Sequence, residues 1–205
     1  MQDSKLAELA RLISAWPGLV AGPTEGLVED CLVLVDHLAG ARRLVDVGSG
    51  GGLPGLPLKI ARPELEVTLI EADGKKSAFL VNACAQLGLE GVEVVSRRAE
   101  EAGHDPRLRE AFDIAVARAL APMPTLAELC FPFVRVGGRL LAQKTEAEDL
   151  SAAARAIEAM GGGAARVVPA PSSARRSGTI VIVEKVRPTP STYPRRAGLP
   201  ARKPL

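Results

Sequence analysis

A run of five glycines within ten residues constrains the fold of this chain more than any other feature. The run reads DVGSGGGLPG over residues 46–55 and begins inside the strand-like stretch Arg43–Val47. Glycine tolerates positive φ and lets a ligand approach the backbone closely, because it has no Cβ atom. Such a turn after a buried strand is typical of nucleotide-binding α/β folds. Gly50, Gly52 and Gly55 also satisfy the GxGxxG spacing.

Strand-like and helix-like segments alternate after this point, which predicts a largely parallel sheet with helices on both faces. We therefore expect an α/β, doubly wound, Rossmann-like fold with a short helical N-terminal extension. The predicted helices cover residues 5–13, 26–38, 56–61, 75–87, 124–134 and 146–160. The predicted strands cover residues 43–47, 67–71, 92–96, 112–118, 139–143 and 179–185, with a short one beginning at 167.

Two carboxylates near the glycine run indicate the kind of cofactor. Asp46 precedes the first glycine by two residues. A carboxylate there suits S-adenosylmethionine, which carries an amino group and a sulfonium, and offers nothing to a pyrophosphate. Glu71 closes the second predicted strand, where it can accept hydrogen bonds from both ribose hydroxyls of either cofactor. Asp46 and the short length of the chain favour S-adenosylmethionine; an NAD site and a ligand-free glycine turn are the alternatives.

Charge is distributed unevenly along the chain. The net charge is +2, but from Arg166 onward nine basic residues face Glu184 alone. That segment therefore carries +8 and the rest of the chain −6. A basic end on an acidic body is typical of a surface that binds a polyanion. The alternative is a solvated tail that only aids solubility.

Composition also bears on the compartment and on metals. Cys31, Cys84 and Cys130 show no CxxC spacing, which indicates reduced thiols in a cytoplasmic protein. No apolar run approaches the roughly 20 residues that span a bilayer, and the charged first 16 residues are unlike a signal peptide. His37 and His104 have no carboxylate at metal-ligand spacing, so we expect no metal site. We predict a cytoplasmic monomer without membrane contact.

Several motifs occur together over about residues 40–205: DVGSGGGLPGLP at 46–57, LIEAD at 69–73, ARA at 117–119 and YPRRAG at 193–198. With these motifs the chain resembles the bacterial small-subunit rRNA guanine-N7 methyltransferase family, known as RsmG or GidB. The resemblance implies an S-adenosylmethionine-dependent enzyme that methylates N7 of a guanine in 16S ribosomal RNA. Ribosomal RNA or the small ribosomal subunit would be its partner. The predicted parts of the chain are a helical extension (1–40), a methyltransferase domain (41–186) and a basic, proline-rich tail (187–205). The five prolines of the tail predict that it is extended and lies on the surface.

The resemblance, together with the carboxylates above, gives a set of predicted site residues. Arg118 and Lys144 are the predicted catalytic residues. The predicted cofactor-binding residues are Asp46, Gly48, Ser49, Gly50, Leu53, Glu71, Ala72, Asp73, Ala99, Glu100 and Arg118. The predicted RNA-binding residues are Arg98, Lys144, Arg176, Arg195 and Arg196.

The chain departs from the family pattern in two places. The stretch over residues 26–32 lacks the family's histidine and keeps only Asp30 of that element. The family's arginine before the last strand falls on Gly178, which leaves Arg176 as the nearest substitute. Both departures concern recognition of the RNA more than of the cofactor.

The residues after the fourth predicted strand bear on the acceptor atom. ARALAP at 117–122 lacks the polar–Pro–Pro–aromatic element of enzymes that methylate exocyclic amines. Cys130 stands in an LCFP context that indicates a buried helix position, not the nucleophile needed for carbon methylation. Guanine N7 requires only alignment, because its lone pair is free at neutral pH. A cofactor-binding RNA-binding protein without turnover, and a methyltransferase acting on another RNA or a small molecule, are the alternatives.

Overall fold

The computed structural model describes residues 2–19, 24–145, 148 and 150–205, which contain one seven-stranded sheet. The strands are β1 (Arg43–Val47), β2 (Glu66–Ile70), β3 (Val92–Val95), β4 (Phe112–Arg118), β5 (Val134–Lys144), β6 (Gly162–Pro169) and β7 (Thr179–Lys185). Their order across the sheet is β3-β2-β1-β4-β5-β7-β6. Neighbours from β3 to β5 pair in parallel, whereas β7 is antiparallel to both β5 and β6.

Helices lie on both faces of the sheet. They are α1 (Gln2–Ala15), α2 (Thr24–Asp30), α3 (Gly55–Ala61), α4 (Gly74–Gln86), α5 (Ala99–Ala102), α6 (Met123–Cys130), α7 (Ala154–Ala159) and α8 (Leu199–Arg202). Short 3-10 segments follow α2 and α6, at Cys31–His37 and Phe131–Phe133, and precede α7 at Ser151–Ala153. The doubly wound α/β fold with helices at its N-terminus, predicted from the sequence, is confirmed.

Alternate side chains of the central strands enter two hydrophobic cores, one on each face of the sheet. Leu44 of β1 belongs to the core that also contains Leu9 of α1. Val45 and Val47 belong to the core that contains the side chains of α6. A strand covered on both faces is expected to be apolar throughout. Asp46, the penultimate residue of β1, departs from that rule, which directs attention to the end of this strand.

Three predicted helices differ from the observed ones. The helix predicted over 26–38 is α2 followed by the 3-10 segment Cys31–His37. The predicted helix over 124–134 ends at Cys130, because Pro132 has no N–H to continue it and Val134 already pairs with Phe112 in the sheet. For the predicted helix over 146–160, residues 146, 147 and 149 lie outside the described residues; the described helix is α7. The short helix α5 was not predicted.

The C-terminal segment is built into the fold. Thr189 is 5% exposed, and Tyr193 and Leu205 pack against the core under α6. Most residues of 187–205 are exposed, so the segment lies on the surface as expected, but the expectation of an extended chain is wrong for Leu199–Arg202, which form α8. The proline content predicts that this segment forms little helix or sheet. It does not reveal that α5, α6 and the chain between them offer packing and hydrogen-bond partners for the segment.

Candidate functional site

A cavity of about 650 Å³ lies at the carboxyl edge of the sheet. The loops after β1 and β4 form part of its wall, and the chain leaves these two adjacent strands toward opposite sides of the sheet. Ligands of open α/β sheets bind at such a switch point. The cavity therefore lies where the fold predicts a site.

The glycine loop after β1 needs glycine at specific positions. Gly48 adopts φ +73°, and a Cβ atom there would lie 2.5 Å from Leu120 Cδ1. Gly50 adopts φ +55°, but a Cβ atom there would meet only the Gly48 carbonyl oxygen, at 3.9 Å. Gly50 thus presents bare backbone to the cavity. The loop is held by Ile70, whose carbonyl oxygen accepts hydrogen bonds from the N–H groups of Gly48 (2.9 Å) and Ser49 (3.0 Å).

Glu71 fastens the glycine loop to the end of β2. Its Oε2 accepts a hydrogen bond from the Gly50 N–H at 2.8 Å, and its Oε1 accepts one from the Asp73 N–H at 2.8 Å. A carboxylate oxygen has two acceptor positions, so one remains on each oxygen. Glu71 also lines the cavity. Its carboxylate can therefore hold the loop and still accept hydrogen bonds from a bound diol.

Asp46 supports the loop from inside the protein. It is fully buried, and its Oδ2 accepts a hydrogen bond from the Gly55 N–H at 2.9 Å. Its Oδ1 is buried with no hydrogen-bond partner among the described residues. Burial raises the pKa of Asp46 to about 7. Asp46 is not among the described residues that line the cavity, so its observed contact is with the backbone of the loop.

Arg118, at the end of β4, lines the cavity and belongs to a buried polar cluster around Asp30. Asp30 is fully buried, and its Oδ2 lies 3.6 Å from Arg118 Nη2 and 2.7 Å from Arg175 Nε. Ser172 Oγ and Gln143 Nε2 also donate hydrogen bonds to the Asp30 side chain. One carboxylate thus joins α2, the end of β4 and the β6–β7 connection.

The sequence did not predict that Arg175 would join this cluster. Its Nη1 donates to the Lys144 carbonyl oxygen. Arg176, which was predicted instead, is exposed. Two consecutive arginines in a connection give no sequence signal that tells which side chain turns inward. The prediction that Arg176 binds RNA stays a prediction.

The turn after β4 is conformationally unusual. Ala119 adopts φ +52°, a region that residues with a Cβ atom rarely occupy. This turn places Leu120 against Gly48 and brings both residues to the cavity. Such outliers are concentrated at functional sites, because the surrounding structure must hold them in place.

The basic residues predicted to act at the site occupy different environments. Arg98 is exposed at the cavity, immediately before α5. Lys144 Nζ lies 2.7 Å from Glu148 Oε2 and donates to the Ala121 carbonyl oxygen at 3.1 Å. Lys144 is not among the described residues that line the cavity, although Ala121 is. Lys144 therefore contacts a residue of the cavity wall, Ala121, without lining the cavity itself.

Arg195 and Arg196 are adjacent but differ in burial. Arg196 is exposed, with no acidic partner in the part of the chain that the structure describes. Arg195 Nη2 lies 2.6 Å from Oε2 of the fully buried Glu128. The prediction that Arg195 contacts RNA is corrected accordingly: its guanidinium neutralises a buried carboxylate, so we remove it from the proposed RNA-binding set.

The cavity contains most of the predicted cofactor residues. Those present are Gly48, Ser49, Gly50, Leu53, Glu71, Ala72, Ala99, Glu100 and Arg118. Asp73 caps α4 instead, since its carboxylate accepts from the Lys75 and Lys76 N–H groups. Lining residues that the sequence did not suggest include Leu19, Leu27, Lys76, Arg97, Gly198 and Ala201. They come from parts of the chain that carry no recognisable motif, or from segments for which the sequence predicted a different role.

The cysteines are not activated. Burial raises the pKa of the Cys31 thiol to about 12 and that of Cys84 to about 11, and it also raises the pKa of Cys130.

No helix of the described residues combines the length and apolarity needed to cross a bilayer. The same residues contain no group of three or more His, Cys, Asp or Glu side chains placed to hold a metal ion.

The glycine loop lies beside the Glu71 carboxylate at the switch point of the sheet, and β7 of this sheet is antiparallel. This combination defines a Rossmann-like methyltransferase. Solved structures agree on the fold. The O-methyltransferase from Bacillus cereus, in complex with SAH, gives a TM-score of 0.64 at 21% identity, over 89% of this chain and 91% of that chain. The O-methyltransferase TomG from Streptomyces achromogenes, in complex with SAM, gives 0.60 at 18% identity, over 89% and 90%.

Sequence relatives show the family. The family model described as rRNA small subunit methyltransferase G matches residues 24–177. Ribosomal RNA small subunit methyltransferase G of Moorella thermoacetica is 49% identical over 177 residues, which are 85% of this chain and 74% of that protein. The protein of the same name from Lactobacillus delbrueckii subsp. bulgaricus is 46% identical over 182 residues, 87% and 76%. The chain belongs to the rRNA small subunit methyltransferase G family, and the predicted resemblance is confirmed. It is an S-adenosylmethionine-dependent methyltransferase.

Proposed function

We propose that this protein transfers the methyl group of S-adenosylmethionine to N7 of a guanine in 16S ribosomal RNA. The observation that carries the proposal is the cavity at the carboxyl edge of the sheet in a chain of this family. Its wall combines the glycine loop, Glu71 and Arg118. Ribosomal RNA, free or within the small ribosomal subunit, is the proposed partner.

The residues present fit the cofactor. The open backbone face of Gly50 leaves the space that a side chain would fill. The free acceptor positions of Glu71 suit the two ribose hydroxyls, and Ala99 with Glu100 would flank the adenine. Arg118 is the cation proposed for the carboxylate of the methionine end. When bound, S-adenosylmethionine supplies an electrophilic methyl group whose transfer moves the positive charge from sulfur to the acceptor.

The lining of the cavity supports N7 as the acceptor. Glu71 and Glu100 are the carboxylates among the described lining residues, and both accept hydrogen bonds from backbone N–H groups. An amine or carbon acceptor must lose a proton, which calls for a general base or a nucleophile. N7 has no proton to lose, so the protein needs only to align the base and exclude water.

Cations at and near the mouth, the exposed Arg98 and Arg196 and the half-buried Lys76, would position the RNA. Arg98 and Lys76 line the cavity, and Arg196 lies close to Gly198 in its wall. Contacts from such residues to phosphates fix the register of a nucleic acid without reading its sequence. We assign Lys144 to positioning: its ammonium holds Ala121 and pairs with Glu148, which in turn accepts from the Met123 N–H at 2.8 Å.

Mapping the product tests the proposal. Purified protein, labelled S-adenosylmethionine and unmodified 16S RNA or small subunits are combined, and chain scission specific for 7-methylguanosine locates the label. The expected result is label at one guanine N7, lost in Glu71→Ala. Label on an amine or a carbon would overturn the acceptor. Binding of both cofactor and RNA without transfer would favour the RNA-binding alternative.

A further inference from the structure

We propose that residues 189–203, here called the C-terminal strap, form a wall of the cofactor cavity, with Arg195 and Glu128 as the positioning residues that hold it. The inference rests on the proposed function, because it takes the cavity as the place where S-adenosylmethionine binds. The strap lies beyond residues 24–177, the part of the chain that the family model matches.

The first anchor of the strap is an ion pair inside the protein. Glu128 of α6 is fully buried. Its Oε1 accepts from the Arg195 backbone N–H at 2.8 Å and from Nε at 2.9 Å, and its Oε2 lies 2.6 Å from Nη2. Arg195 Nη2 also donates to the Lys203 carbonyl oxygen at 2.9 Å. Loss of one partner would leave a buried charge uncompensated, so this contact strongly favours the docked strap.

The second anchor lies between α5 and β4. Both Nη atoms of Arg109 donate hydrogen bonds to backbone carbonyls of the strap. The acceptors are the oxygens of Thr189 (2.8 Å), Pro190 (3.1 Å) and Tyr193 (2.9 Å). His104 Nε2 lies 2.8 Å from the Pro194 carbonyl oxygen. These contacts place the first half of the strap against the residues that follow α5.

The second half of the strap reaches the cavity. Gly198 and Ala201 line it, and the Gly198 N–H donates to Glu100 Oε1 at 2.7 Å. Thr125, which also lines the cavity, donates from Oγ1 to the Pro200 carbonyl oxygen at 3.0 Å. Glu100 is 7% exposed. Its carboxylate is thus positioned by the strap, and undocking would both release Glu100 and open the wall to water.

Hydrogen exchange of the intact wild-type protein tests the coupling directly. S-adenosylhomocysteine is the probe, because it binds the same cavity without turnover. We expect it to slow amide exchange in peptides covering residues 196–202 as well as in those covering the glycine loop. Protection of the glycine loop alone would overturn the inference while leaving the proposed cofactor site intact. Absence of any binding by the wild-type protein would overturn both.

A variant pair separates positioning from general stability. Arg195→Met should weaken S-adenosylhomocysteine binding by about tenfold, because the wall is no longer preorganised. Arg135→Met is the matched control: it breaks the Arg135–Asp113 pair (2.8 Å) at the opposite edge of the sheet and should leave the affinity within about twofold. Titrations are done well below the unfolding temperature of each variant. A folded Arg195→Met protein with wild-type affinity would overturn the inference. If it does not fold, the wild-type exchange experiment decides.

Discussion

The Arg118 guanidinium lies 3.6 Å from the Asp30 carboxylate, which is fully buried and 2.7 Å from Arg175 Nε. Two cations therefore share one anion beside the cavity. Asp30 belongs to α2, so the N-terminal helices contribute to the electrostatics of a site formed mainly by the sheet. The excess positive charge favours an anionic group of the cofactor or substrate at Arg118.

Replacing the shared anion tests this arrangement. Asp30→Asn should lower the free energy of unfolding by about 2–4 kcal/mol, because two partly buried guanidinium groups lose their counter-charge. Urea unfolding provides the measurement. Glu29→Gln is the control. Glu29 is the exposed residue next to Asp30, so its replacement should change the free energy of unfolding by less than about 0.5 kcal/mol. Equal stabilities of the two variants would show that the Asp30 cluster contributes little.

Glu71→Gln should weaken cofactor binding even though it preserves shape. Both carboxylate oxygens accept backbone N–H groups, so one N–H must face the amide NH₂ of a glutamine. We expect a loss of about 1–3 kcal/mol in the binding of S-adenosylhomocysteine, measured by calorimetry. Glu66→Gln, at the exposed start of β2, the strand that Glu71 follows, should leave the affinity unchanged. Unaltered affinity in Glu71→Gln would remove Glu71 from the cofactor site.

Asp46 should make stability depend on pH. Its folded-state pKa is raised to about 7 by burial, above the 3.8 of an unperturbed aspartate. Between these values the folded state holds a proton that the unfolded state releases, so stability falls as pH rises from about 4 to 7. Asp46→Asn keeps an acceptor for the Gly55 N–H and cannot ionise.

The variant should therefore gain stability relative to wild type between pH 5 and pH 8, by roughly 1–3 kcal/mol. Urea unfolding at both pH values measures the difference. A gap that does not change with pH would mean that Asp46 does not titrate in this range. A loss of stability of Asp46→Asn relative to wild type between pH 5 and pH 8 would reverse the sign of the predicted linkage.

The rate of methyl transfer should be nearly independent of pH. With N7 as acceptor no proton is removed, so single-turnover transfer with RNA and cofactor saturating should stay flat from about pH 6 to 9. Rapid-quench measurement of labelled product gives this rate. A rate that rises about tenfold per pH unit below pH 8 would contradict N7 and indicate an acceptor that must be deprotonated.

Arg195 and Arg196 should behave differently toward RNA. Arg196→Gln should reduce the slope of log affinity against log salt by about 1, because one phosphate contact is lost. Binding to 16S RNA over a range of salt concentrations measures the slope. Arg11→Gln is the control, an exposed arginine of α1 paired with Glu8. An unchanged slope in Arg196→Gln would exclude this side chain from the phosphate contacts.

The sequence determined the fold class and the glycine loop. The local sequence pattern was sufficient for both, because an apolar strand followed directly by several glycines is compatible with few folds. Gly48, Gly50 and Glu71 follow directly from that pattern, since each depends on its position relative to the end of a strand. The family motifs added Ala99, Glu100 and Arg118, which the structure brings to the same cavity.

The tertiary structure alone decided how the charged side chains are paired. Arg195 and Arg196 are equivalent in sequence, yet one neutralises the buried Glu128 and the other faces solvent. Arg175 instead of Arg176 turns toward Asp30, a residue 145 positions away. A charge count treats every arginine as available to a ligand. Which ones are available depends on where the fold buries a carboxylate, because a buried charge must be compensated by the nearest cation that packing brings to it.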